Sequence, residues 1–318
     1  MKLRLGVIGV GHLGKFHAQK LAELPDVSLD FVVDLDEERL RCVSETLEKN
    51  YGIKVFTTQN YKELLKKVDA VIIATPTFTH YEIAKEFLKE GIHVFLEKPM
   101  CSTFSEAVEL VELAEKRNLV FQVGYIERFH PAFKKLVKEV KKPLFIEAHR
   151  LSPFPYRNLD IDVILDLMIH DIDMVILLVN EEEVELIHAV GAPVFTKLPD
   201  IVNARIVFKN GTTCNLTASR ISVGKQRRFR VFEPGRYHSV DTLKNTYESI
   251  EVKNKVMDYD VDKEVFSEVD PLKEELKSFI SAVIGESPCE VSGRDALKSL
   301  SLALRLKKEV EKNLRKFL

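Results

Sequence analysis

The chain has no tryptophan, only four cysteines and no excess of either charge, and each shortage removes a class of function. Cys42, Cys101, Cys214 and Cys289 are widely separated. They form no CxxC pair and no Cys/His spacing that suits zinc, so all four are expected to be reduced and no metal site is expected. Lys and Arg number 47 against 49 Asp and Glu, a near balance that offers no field to draw the chain to nucleic acid or to an anionic membrane. No run of eighteen apolar residues occurs, and the N-terminus enters a strand without the profile of a signal peptide. What these absences leave is a cytoplasmic protein that acts on a small molecule. Its 318 residues suggest about two domains of ordinary size. The high charged fraction, 30%, and the scarcity of glutamine resemble heat-stable proteins and concern stability rather than chemistry.

The most informative feature present is KLRLGVIGVGHLGKFHA at residues 2–18. Gly9, Gly11 and Gly14 stand between an apolar strand, Leu3–Ile8, and a helix expected over 15–24. In that setting Gly9 permits a tight turn, Gly11 lets the backbone approach a pyrophosphate, and Gly14 lets helix and strand pack closely. The helix N-terminus offers unpaired N–H groups to the phosphates. A second strand, Val27–Val33, ends at Asp34, placed where a carboxylate would hold the ribose hydroxyls of NAD and repel the 2′-phosphate of NADP. Arg39 nearby is the one feature that suits NADP.

Short apolar strands and amphipathic helices alternate over the first 120 or so residues, as a doubly wound parallel sheet requires. The clearest strand, 70–74, ends at Thr75-Pro76, and a helix begins near Thr79 with His80 in its first turn. Ligands bind at such carboxyl strand ends. HVFLEKP forms a further strand with a charged tip, and 120–124 closes the layer. Longer strands with polar alternation follow at 144–149, 184–190, 202–208 and 212–219, with a helical stretch at 163–179. The expected fold is therefore α/β. A Rossmann domain occupies 1–122 and a second α/β domain with a mixed sheet occupies 123–318, and a long amphipathic helix at 295–312 packs back on the first domain.

Two constellations can carry chemistry. Lys98, in Glu97-Lys98-Pro99, stands at the strand edge that the glycine loop also faces. A cation there can polarise or deprotonate a hydroxyl while hydride leaves the same carbon. In DLMIHDIDMVILL, Asp166 and His170 stand four residues apart on an otherwise apolar helix, where burial is costly unless they pair, touch a ligand or line a cleft. Asp166 can orient His170 for proton transfer, and Asp171 and Asp173 read as structural.

These segments together resemble the glucose–fructose oxidoreductase and inositol dehydrogenase family, Gfo/Idh/MocA. GVGHLG, Asp34, ATPTFTH, LEKP, GYIERFHP and DLMIHDID carry the likeness, in the family's order and across nearly the whole chain. The resemblance implies a Rossmann domain followed by an α/β domain whose large open sheet commonly serves a homodimer or homotetramer. It implies NAD held by Gly9, Gly11, His12, Leu13, Gly14, Asp34, Ala74, Thr75, Pro76, His80, Glu97 and Lys98. It also implies that Lys98, Asp166 and His170 act on the substrate hydroxyl, with no metal. The family's Gly-Tyr-Asn-Arg-Arg-Phe is here Gly124-Tyr125-Ile126-Glu127-Arg128-Phe129, so its asparagine contact has no counterpart.

IERF, ILDLMIHDIDMVI and ASRISVGKQRRFRVFE are similar to a narrower group, the UDP-N-acetylglucosamine 3-dehydrogenases. That likeness implies a nucleotide-sugar substrate met by Tyr125, Arg128 and Arg220, with Lys225, Arg227 and Arg228 as further contacts for a diphosphate. Another sugar or polyol dehydrogenase, an NAD-dependent glycosidase and a non-catalytic NAD sensor are the alternatives. Net reduction of NAD separates a dehydrogenase from a glycosidase, and a proton-transfer set is of no use to a sensor.

Overall fold

A computed structural model describes residues 2–155, 160–180, 183–253 and 257–317, which fall into two compact units. The first unit holds six parallel strands, β1 (Leu3–Ile8), β2 (Val27–Val33), β3 (Phe56–Thr58), β4 (Ala70–Ile73), β5 (His93–Glu97) and β6 (Phe121–Gly124). Their order is β3-β2-β1-β4-β5-β6, that of a dinucleotide-binding sheet. Every residue of β4 is buried, as a parallel strand covered on both faces demands. Helices α1 (Gly14–Ala22), α2 (Glu37–Tyr51), α3 (Thr77–Lys89) and α4 (Phe104–Lys116) connect the strands. Sequence sets their ends. Asp36 caps α2 through the amides of Glu38 and Arg39, Gly52 closes it in the left-handed region, and Thr103 and Glu106 form a capping box on α4.

The second unit carries α5 (Pro131–Glu139), β7 (Phe145–Leu151), α6 (Ile169–Val179), β8 (Val184–Ala192), β9 (Ile201–Phe208) and β10 (Thr213–Ser219). Four more strands follow, β11 (Gln226–Glu233), β12 (Arg236–Asp241), β13 (Thr246–Val252) and β14 (Tyr259–Val265). The eight form one sheet in the order β14-β13-β12-β11-β7-β10-β9-β8, with β7 and β10 parallel and the other pairs antiparallel. On β7 the residues Ile146, Ala148 and Arg150 are buried while their neighbours are only partly so. Helix α6 continues from a π-helical turn over Ile164–Met168.

The domain boundary differs from the expected single break after 122. The first unit spans 1–126 and takes up the chain again at 272–297, whereas the second spans 127–271 and 298–318. The cause is α7 (Pro271–Val283), whose Leu276, Phe279 and Ile280 are buried in the same core as Leu5, Val32 and Phe95 of the parallel sheet. The helix expected to return to the first domain is α8 (Gly293–Leu314), and from residue 298 onward it belongs to the second unit. There Asn313 Nδ2 donates to the carbonyl of Ala189 at 2.9 Å.

Candidate active site

In the first unit the glycine loop follows β1 at the point where the strand order reverses, between β1 and β4. Gly9 has φ +83°, and a Cβ there would stand 2.8 Å from the Ala74 carbonyl oxygen. A Cβ on Gly14 would lie 1.7 Å from the Gly9 carbonyl oxygen, so this glycine is what allows α1 to seat against the loop. Gly11 is different. The nearest atom to its missing Cβ is Arg39 Nη1 at 3.7 Å, an ordinary contact, so the protein's own packing does not demand a glycine there. The requirement falls on whatever approaches the loop from outside, which fits a dinucleotide pyrophosphate. Leu13, half-exposed with His12 on the loop, provides no side-chain cap for α1, which leaves that helix end available to an anion.

Asp34 directly follows β2 and is fixed by the backbone. Its carboxylate accepts from the Val10 amide at 2.8 Å and from the Asp36 amide at 3.0 Å. Arg39 stands beside it, Nη1 3.9 Å from one Asp34 oxygen, and its Nε lies 3.2 Å from Asp36.

At the end of β4, Ala74, Thr75 and Pro76 lead into α3, and His80 is buried beneath them. Its two ring nitrogens lie 2.8 Å from the Thr75 carbonyl and 3.0 Å from the Pro99 carbonyl. Burial pulls the imidazole below its ordinary value against the opposing effect of those carbonyls. His80 thus ties the β4 turn to the segment that carries Lys98. The Lys98-Pro99 peptide is cis, and Lys98 is half-buried. Glu97 turns inward, accepting from His17 Nε2 at 2.7 Å, with the Lys98 amide 3.2 Å from its second oxygen. Behind it lies Glu275 of α7, 1% exposed, with neither carboxylate oxygen hydrogen-bonded. Burial first, and then the charges of Glu97 and Glu290, raise the Glu275 pKa well above the carboxylate range.

In the second unit Asp166 sits within the π-helical turn and His170 in the first turn of α6. The helical stretch expected at 163–179 thus opens with a wider π turn, a deviation that recurs at functional sites. Asp162 holds the turn, accepting from the amides of Ile164 at 2.9 Å and Leu165 at 3.1 Å, while Lys307 lies 3.0 Å from its other oxygen. Asp166 is buried and His170 half-buried.

The arginines divide sharply. Arg128 makes a two-pronged contact with Asp173, both bonds 2.7 Å, and Ser299 donates to the same carboxylate. Arg220 is 0% exposed and pairs with the equally buried Asp200 at 2.9 Å. Tyr125 is 1% exposed. These three side chains, expected to meet a substrate, are thus buried, and both guanidiniums take part in internal ion pairs. Lys225 is exposed, and Arg228 donates to Ser239 on the neighbouring strand. Asp171 and Asp173 are structural, as read. Asp171 receives two bonds from Arg150, at 2.9 and 2.8 Å, and Arg150 donates a third to Glu127 at 2.6 Å. Burial opposes the charge of Arg150, yet these two carboxylates carry its pKa above the ordinary value. Sequence reasoning missed Arg150 and Asp162. The available signal for Arg150 was an arginine at an inward position of a strand that otherwise alternates regularly.

Comparison with known proteins places this geometry. The family model described as oxidoreductase family, NAD-binding Rossmann fold, matches residues 3–125, and the GFO/IDH/MocA C-terminal domain matches 142–233. UDP-N-acetylglucosamine 3-dehydrogenase from Acidithiobacillus ferrooxidans is 38% identical over 97% of both chains. Its solved structure covers 98% of this chain and 99% of its own, with a TM-score of 0.90. Myo-inositol 2-dehydrogenase from Thermotoga maritima is 30% identical over 97% of this chain and 96% of its own. Two family domains in sequence, a near-full-length relative and an NAD-binding sheet with its glycine loop agree: the chain belongs to the Gfo/Idh/MocA family of oxidoreductases.

Proposed function

We propose that this enzyme oxidises a ring hydroxyl of a sugar with NAD, and that the hydroxyl is C3 of a UDP-linked N-acetylamino sugar. The observation that carries the substrate is the likeness, over 97% of both chains, to an enzyme named for that reaction. The chemistry is assigned to three side chains. Lys98 polarises the hydroxyl and positions the nicotinamide, His170 accepts the hydroxyl proton, and Asp166 orients His170 or the substrate. A bound nicotinamide supplies the hydride acceptor. The loop from Gly9 to Gly14 receives the pyrophosphate and Asp34 the ribose. The same reading takes the protein as a cytoplasmic homodimer or homotetramer without nucleic-acid or membrane partners. Its four cysteines are free, as a reducing compartment would keep them.

The test is reduced-nicotinamide absorbance on mixing the protein with NAD and UDP-N-acetylglucosamine, with a carbonyl trap to pull the uphill oxidation forward. A rising signal that drops by about 10²- to 10⁴-fold in Lys98→Met, with NAD binding retained, is the expected result. Undiminished turnover in that variant would remove Lys98 from the chemistry. No signal on any sugar, despite bound NAD, would defeat the dehydrogenase reading.

A further inference from the structure

The second unit contains a cation whose neighbours do not account for it. In the β11/β7 register Arg227 stands directly opposite Arg150, and both are on the sheet face that buries Ile146, Ala148, Phe229 and Val231. Like charges directly opposed across a strand pair are destabilising. Arg150 meets this with two carboxylates, Asp171 and Glu127. Among the described residues Arg227 has none within ion-pair distance. Its hydrogen bonds among the described residues all leave from Nη1, to the carbonyls of Leu151 at 2.6 Å and Gln226 at 2.9 Å. Nε and Nη2 are not sealed from solvent. Burial and the facing Arg150 lower its pKa to about 10, with Asp171, Glu127 and Asp166 opposing from farther off, so the group stays charged at neutral pH.

A half-buried guanidinium that keeps one edge of its fork unused is suited to a planar, two-oxygen anion. Asp166, whose charge reaches Arg227, is the carboxylate proposed above to orient His170 or the substrate. A ligand bearing hydroxyls and an anionic group would thus find an acceptor for one and a fork for the other on the same unit.

We propose that Arg227 is the specificity-determining residue that binds the diphosphate of the substrate, and that Arg128 and Arg220 do not. This rests on the nucleotide-sugar reading above. Arg227 discriminates a nucleoside-diphosphate sugar from neutral sugars and polyols, because only the former supplies the missing anion.

The test uses binding, which is independent of turnover. Calorimetric titration of the NADH-saturated protein with UDP, and in parallel with uridine, is made on the wild type, Arg227→Ala, Arg227→Lys and, as a control, Arg230→Ala. Arg230 pairs with Glu147 and lies outside this cluster. Expected are UDP binding in the wild type and the control, a loss of tenfold or more in Arg227→Ala, a smaller loss in Arg227→Lys, and no change for uridine. Thermal unfolding of Arg227→Ala within a few degrees of wild type shows that the loss is local. UDP bound equally by wild type and Arg227→Ala overturns the assignment and leaves the nucleotide-sugar reading standing. UDP not bound by the wild type overturns both.

Discussion

Replacing Glu275 by Gln should make the protein more stable as pH rises, by an amount set by one proton. In the native state this carboxyl is 1% exposed, hydrogen-bonds to nothing through either oxygen, and feels the charge of Glu97. Its pKa is therefore raised on folding, whereas in the unfolded chain it ionises with an ordinary value near 4.3. The direction of the linkage follows. The favourable state persists below the unfolded pKa and is lost as pH rises toward the native one, because folding must take up a proton. Over each pH unit in which the native carboxyl keeps its proton and the unfolded one has lost it, the wild type gives up about 1.4 kcal/mol relative to a variant with no titrating group. Denaturant unfolding of wild type, Glu275→Gln and Glu275→Leu at pH 5, 6, 7 and 8 reads this directly. The difference should widen with that slope and be smallest at pH 5. In melting temperature it corresponds to about 2–4 °C per kcal/mol. The leucine variant separates the charge effect from the unsatisfied amide that glutamine would bury. A difference independent of pH in both variants would mean that Glu275 is ionised in the native protein, and the reasoning would fail.

Other perturbations divide stability from binding. Gly11→Ala should fold normally and weaken NAD by tenfold or more in a fluorescence titration, since no protein atom opposes the new Cβ, whereas Gly14→Ala should lower the melting temperature as well because its Cβ overlaps the Gly9 carbonyl; equal stability of the two variants would contradict this. Asp34→Ser should shift the ratio of NAD to NADP affinity toward NADP, and adding Arg39→Ala should reverse the shift if Arg39 is the cation that receives the 2′-phosphate. Arg220→Leu strands the buried Asp200, a carboxylate that burial would raise but that the amides of Thr196, Val194 and Phe195 and the Arg220 guanidinium hold well below its usual range. Denaturant unfolding should record a loss of about 3–5 kcal/mol, and a loss under 1 kcal/mol would show the pair to be dispensable.

Much of the first unit was legible because its signals are local. β1 and β2 begin and end where the apolar runs do, and the three glycines state the turn chemistry in their spacing. The second sheet was less legible from β11 onward. Arg227 and His238 occupy inward positions there, so the alternation of apolar and polar residues that marks a half-buried strand is broken by the side chains most concerned with pairing. The internal ion pairs of two arginines were hidden for a related reason. Arg128 and Arg220 look available in sequence because their partners, Asp173 and Asp200, lie 45 and 20 residues away. The return of α7 to the parallel sheet was equally hidden, since an amphipathic helix declares an apolar face and not the surface it covers.

That return has a consequence for synthesis. A ribosome releases the N-terminal segment first, and domains generally acquire structure in that order. Here the nucleotide-binding sheet waits for Leu276, Phe279 and Ile280, which emerge only after the whole of the second sheet has been translated. A fragment truncated at residue 126 would leave that apolar surface wet, so the first stretch of the gene does not encode the complete core of its own sheet.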